Sequence, residues 1–379
     1  MRKDGHMQLQ TIKVQGFKSI RELEFSLRPL NILIGANGSG KSNILGVFAF
    51  LRAMVERHLQ MYVARAGGAD RILHFGQKNT DSLQIELWFT KKNRRARGNI
   101  IANGYRCALV PAVGDRFVFA EERAFFHDRR YEKPVETLLG SGHEESLLPA
   151  SYGRGIPADV FEAMQSWIVY HFHDTSDSAR VKQTGDIDDN YWLRQDASNL
   201  TAYLYYIQQQ APDHYRNIVD VIRMVAPFFD DFVLRPSPFN PNKIKLEWRE
   251  RGSDTYFDAY ALSDGTLRFI CLATLLLQPA RKFPAIILLD EPEMGLHPYA
   301  IHVLAELLHS AATQTQVIVA TQSVTLVNQF EPEDIVVVER QDGQPVCRRL
   351  TMEETETWLD GYGLGDLWEK NILGGRPLP

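Results

Sequence analysis

The segment NILIGANGSGKSNIL, from Asn31 to Leu45, constrains the fold more than any other part of the chain. Asn31–Ile34 is short and apolar, as a strand covered on both faces should be. GANGSGKS (Gly35–Ser42) then fits G-x-x-x-x-G-K-[ST] at every fixed position. Beyond Ser42, the residues Ile44, Leu45, Phe48, Leu51 and Val55 fall on one helical stripe. Strand, glycine loop and helix in that order build a phosphate cradle. Its backbone N–H groups must converge on an anion, and glycine tolerates the close approach this requires. Lys41 supplies charge for the β and γ oxygens, Ser42 a hydroxyl for Mg2+, and the helix N-terminus its dipole. Asn37, Gly38, Gly40 and Asn43 complete the expected nucleotide-binding set.

A second motif supplies carboxylates. AIILLDEPEMGLHP (Ala285–Pro298) places Asp290 and Glu291 at the end of an apolar strand, where open α/β sheets put their ligand crevice. Asp290 is expected to hold Mg2+ and Glu291 to act as general base on the attacking water. In ALSDGTLRFICLATLL (Ala261–Leu276), Ser263 and the Gly265 backbone open a long apolar helix and form a second anion site. The two sites are about 220 residues apart in the sequence. A head-to-tail dimer explains the duplication: each chain's second site closes over the nucleotide held by its neighbour.

The remaining pattern is consistent with an α/β head divided by an insertion. TLRFICLATLLL, AIILLD, YAIHVLAELLHS, VIVAT and IVVVE alternate helix and buried strand, which argues for a parallel core. The expected division is 1–90 and 246–379 for the head and 91–245 for an inserted α+β lobe. Asp174–Asn190 is the least apolar stretch and reads as a mobile linker. Gly140–Pro157 reads as a loop with little buried content. KKNRRARG (Lys91–Gly98) reads as a basic hairpin tip that leaves DNA open as a partner. His171 and His173 share a strand face, but no third ligand stands at metal-binding spacing, so they read as packing residues. A net charge of −5 excludes a uniformly basic, DNA-coating protein. Three scattered cysteines give no disulfide or zinc framework, and the longest apolar run is too short to span a bilayer. A cytoplasmic protein without a membrane partner is expected.

Together, GANGSGKS, LSDG, LLDEPEMGLHP and VIVATQS resemble the ABC-type ATPase head. The opening IKVQGFKSIRELEFSLRPLNILIGANGSGKSN is similar to the SMC/RecF branch. The closing LGDLWEKNILGGRP, with ATQS and EPEDIVVVER, resembles stand-alone bacterial ATPases of the OLD/RecF-like group that lack a C-terminal nuclease domain. The resemblance covers roughly residues 8–90 and 260–379. It implies two heads sandwiching two ATP–Mg2+, a basic nucleotide contact at Lys18, and a seam-crossing D-loop at Met294–His297. It places a Q-loop residue at Gln77 only weakly, and a surface glutamine is the commoner reading there. Two departures stand out. Asp264 occupies a position that is glycine in many relatives. Gln322 stands where many ABC heads have histidine; it can hydrogen-bond near the γ-phosphate but cannot become cationic, which implies slow turnover. No heptads support the long arms of SMC proteins. The resemblance implies an ATPase that regulates a separate effector, a nuclease or toxin, in anti-phage defence or genome maintenance. The alternative is a RecF-like repair ATPase acting directly on DNA.

Overall fold

The computed structural model describes residues 7–92, 100–151, 153, 155–359 and 361–375. The strands are β1 (Gln8–Phe17), β2 (Ile20–Ser26), β3 (Leu30–Ile34), β4 (Leu83–Lys92), β5 (Ile100–Ala112), β6 (Arg116–Asp128), β7 (Val135–Gly140) and β8 (Trp167–Tyr170). They continue as β9 (Gly185–Asp186), β10 (Phe229–Phe232), β11 (Pro236–Ser237), β12 (Asn240–Ile244), β13 (Glu247–Glu250) and β14 (Tyr256–Asp258). The last four are β15 (Ile286–Asp290), β16 (Gln316–Ala320), β17 (Ile335–Gln341) and β18 (Gln344–Arg349). The first helices are α1 (Lys41–Val55), α2 (Leu59–Arg65), α3 (Ala69–Ile72), α4 (Gly155–Met164), α5 (Leu200–Gln210) and α6 (Pro212–Val225). The others are α7 (Asp264–Leu276), α8 (Pro298–Ala312), α9 (Val324–Val327), α10 (Met352–Leu359) and α11 (Leu364–Glu369).

Two six-stranded sheets organise these elements. One is antiparallel, in the order β2-β1-β4-β5-β6-β7. The other runs β18-β17-β3-β16-β15-β8 and is parallel except for the antiparallel β18. The parallel sheet is the middle layer, and its alternating side chains show why its strands read as continuous apolar runs. Ile32, Ile287, Leu289, Val317 and Val337 join the core under α5–α8. Their strand neighbours Leu33, Ile286, Leu288, Ile318 and Val336 join the opposite core, with α1 and the antiparallel sheet. Each such side chain contributes about 1.5–3 kcal/mol by burial.

Several expectations change here. Residues 91–245 are divided between layers: β5–β7 extend the antiparallel sheet, whereas β8 is the edge strand beside β15. Helices α5 and α6 lie in the same apolar core as α7 and α8. Asp174–Asn190 is not a linker without structure. Ala179 and Val181 are buried and the segment pairs with β12 through Gly185 and Asp186. Its low apolar content hid two well-placed small hydrophobes. The stretch Gly140–Pro157 likewise has a buried purpose. Ser146 and Leu148 are inside, and Glu145 accepts from the N–H groups of Leu59 and Gln60, satisfying the free donors at the start of α2. Of the basic run, Lys91 and Lys92 end β4 opposite Ile101 and Ile100; residues 93–99 lie outside the described residues. Among the described residues, no helix is long and apolar enough to cross a membrane.

Candidate functional site

The cradle sits between β3 and α1, at the C-terminal edge of the parallel sheet. Gly40 caps α1 with φ of 114° and leaves no room for a side chain, since a Cβ there would stand 2.6 Å from the Pro345 ring. Lys41 is buried, and its ammonium donates to the carbonyls of Gly35 at 2.5 Å and Ala36 at 3.0 Å. Burial lowers its pKa, while the nearby carboxylates of Glu291 and Asp290 pull the other way. Asn37, Gly38 and Ser42 are exposed at the mouth of the loop. Asn43 donates to Ser19 Oγ at 2.7 Å and ties α1 to the β1–β2 turn. Lys18, in that turn, has φ of 48° and places its ammonium 5.5 Å from the Phe17 ring centre, on the side of α1 near Gly46.

Parallel pairing aligns the chemistry. Asp290 is the last residue of β15 and pairs in register with Ala320, the last of β16. One residue on, Glu291 takes a left-handed φ of 42° and its N–H donates to Ala320 O at 2.8 Å. That conformation is uncommon for a non-glycine residue and concentrates at functional sites. From the end of β16, the Gln322 side-chain amide donates directly to the Glu291 carboxylate. Glu293 is buried and accepts from the Thr321 hydroxyl, which braces the same pair of strand ends. Burial raises the pKa of Asp290, helped by Glu291 and opposed by His173, His171 and Lys41.

The histidines are the residues that sequence reasoning undervalued. β8 pairs with β15 so that Tyr170 lies beside Leu289, which brings the chain to Asp290 at His171. His173 lines a small cavity with Asp290, Glu291 and Arg268. The only sequence signal was their i, i+2 spacing at the end of an apolar run; their neighbour strand lies more than a hundred residues away. Gln77 is exposed, as a surface glutamine would be: its amide donates to Asp115 at 2.9 Å and its N–H to Asp70 at 2.8 Å.

The segment that the sequence offers as a second anion motif opens α7. Ser263 caps α7, accepting from Thr266 N at 3.2 Å. Ser263 and Asp264 are exposed, so this helix start faces outward. Gly265 packs on the turn after β15, where a Cβ would come within 2.3 Å of Gly295 O. Beneath them, the buried Arg268 donates to three carbonyls: Phe172 at 2.9 Å, His173 at 3.2 Å, and Met294.

Residues 30–328 match the family AAA_21, described as "AAA domain, putative AbiEii toxin, Type IV TA system". The chain belongs to this family. No curated protein matches it. Among solved structures, this AAA_21 chain is similar to an Smc head bound to the C-winged helix domain of ScpA, with 17% identity, a TM-score of 0.59, and coverage of 92% of this chain and 99% of that one. It is similar also to Smc heads with coiled coil from Pyrococcus furiosus (16% identity, TM-score 0.56) and Pyrococcus yayanosii (12%, 0.56), each covering 93% of this chain and 99% of the other. The ABC-type, SMC-head-like fold expected from the motifs is therefore the fold of this AAA_21 protein.

The site fits ATP and magnesium by its donor chemistry. An exposed glycine loop with a buried ammonium suits a polyphosphate, and one hydroxyl plus one carboxylate suit a hard cation that takes its other ligands from phosphate and water. Ser42 and Asp290 would hold the ion, which when bound neutralises charge on the β and γ oxygens.

Proposed function

We propose that two copies of this protein bind ATP–Mg2+ between them, head to tail, and hydrolyse it slowly. The hydrogen bond from Gln322 to Glu291, beside Asp290 and within the electrostatic reach of Lys41, is the observation that carries this reading. Lys41 and the loop amides bind the triphosphate. Glu291 takes a proton from the attacking water as its oxygen bonds to the γ-phosphorus, while the bond to the β,γ-bridging oxygen breaks and ADP leaves with that electron pair. Gln322 orients that carboxylate by donating to it. The outward α7 N-terminus, with Ser263 and the Gly265 amide, completes the neighbour's site by donating to its γ-phosphate. Lys18 adds a basic contact at the edge of the cradle.

A neutral amide at position 322 cannot develop the positive charge of an imidazolium, so ATP acts here partly as a clamp. In sedimentation experiments, ATP should convert single chains into dimers. Gln322→His should raise turnover and shorten the dimer's lifetime. Unchanged rate and lifetime in that variant would refute the clamp, and a wild type that stays monomeric with ATP would refute the dimer.

The ATP-dependent dimer regulates a separate effector, a toxin or nuclease, in defence against phage or in genome maintenance. The toxin–antitoxin wording of the family description supports a place in such a system, without naming a separate effector. A second reading, direct action on DNA, rests on the basic run between β4 and β5. It requires duplex binding that weakens steeply with salt and disappears when Lys91, Lys92, Arg94, Arg95 and Arg97 are neutralised together. Salt-insensitive or absent binding would leave the effector reading standing alone.

A further inference from the structure

The segment Asn371–Gly375 follows α11 and takes no part in the chemistry above, yet it touches the cradle. Gly375 O accepts from Ala36 N at 2.7 Å. The peptide joining Gly35 to Ala36 is thus held at both ends: its carbonyl accepts from Lys41 Nζ, and its N–H donates to Gly375. Gly375 N donates in turn to Glu339 Oε1 on β17 at 2.8 Å, and Leu373 O accepts from Arg348 Nη2 on β18 at 2.9 Å. The paired glycines are needed for this approach. Both have φ near +80°, a Cβ on Gly374 would stand 1.9 Å from Glu339 Oε1, and one on Gly375 would stand 3.5 Å from Gly35 Cα and 3.0 Å from Val337.

We propose that residues 371–375 are a strap that sets the geometry of the phosphate cradle, with Glu339 as the positioning residue that anchors it. The inference rests on the reading of this loop as an ATP site. If the Gly35–Ala36 peptide turned over, its carbonyl would leave Lys41 and face the carbonyl of Gly375. The strap prevents this by accepting the N–H on the opposite side. Because the coupling is thermodynamic, it is reciprocal: ATP in the cradle stabilises the strap as much as the strap favours ATP.

The test uses the full chain, a fluorescent N-methylanthraniloyl-ATP as probe, and amide hydrogen exchange. Wild type should bind the probe, and binding should slow exchange in both 35–42 and 371–375. Glu339→Ala should weaken binding at least tenfold with little change in thermal midpoint. Glu339→Gln, which keeps a carbonyl oxygen for Gly375 N, should restore it. Gly375→Ala, read the same way, attacks the contact from the other side. Wild-type affinity in Glu339→Ala and Gly375→Ala, or protection of the cradle without the strap, would overturn the proposal. Failure of the wild type to bind the probe at all would overturn the ATP reading beneath it.

Discussion

Glutamine in place of Glu291 should slow ATP turnover by about two to four orders of magnitude and leave ATP binding intact. The side chain removed is a base; the one installed is the same size and keeps an oxygen that can accept from Gln322. On the proposed reading, binding depends on Lys41 and the loop amides, and the change removes from them only the charge that Glu291 presents to Lys41. The substituted protein should therefore accumulate as an ATP-bound dimer that outlives the wild-type one. Single-turnover phosphate release and size-exclusion chromatography with ATP check the two halves separately. A variant as fast as wild type would mean that another group takes the proton, or that hydrolysis is not this protein's work.

The second large effect is a rescue. Lys41→Ala removes the ammonium of the cradle, and Ser263→Arg fills the outward helix start with a bulky cation. Each variant alone should hydrolyse ATP at a small fraction of the wild-type rate. Mixed in equal amounts, they should recover about a quarter of it, by the pairing statistics of a two-fold dimer. Half the dimers are mixed. Each mixed dimer holds one site with a native Lys41 and a native partner Ser263, and one site with neither. No recovery on mixing would place both residues in the same chain's reaction centre and exclude the head-to-tail arrangement. The double variant Lys41→Ala/Ser263→Arg, mixed with itself, is the control that must stay dead.

Much of the centre of this molecule was legible in its sequence, for a physical reason. The Gly35–Ser42 loop and the Ile286–Glu291 strand end are local features: their chemistry requires a fixed spacing along the chain. Their strands, buried on both faces, could hardly be anything but apolar runs. What stayed hidden was pairing between distant segments. WIVY, Trp167–Tyr170, is a four-residue strand, too short to announce its neighbour, so nothing along the chain said that His171 and His173 would lie beside Asp290. The polar stretch 174–190 misled because Ala179 and Val181 are few, yet they are buried in the main core. Gln77 is exposed and bonded to Asp70 and Asp115, in keeping with the surface reading of that residue.

Arg268, on α7, ties two distant stretches of backbone to one rigid, planar group. One stretch follows β8 and carries His173 over the Asp290 carboxylate; another is the turn at Met294; and the arginine itself stands little more than one turn inside the helix that begins at Ser263. A guanidinium cannot bend, and a buried one cannot exchange a lost carbonyl for water. A displacement of the exposed helix tip is therefore expected to carry the backbone at His173 and Met294 with it.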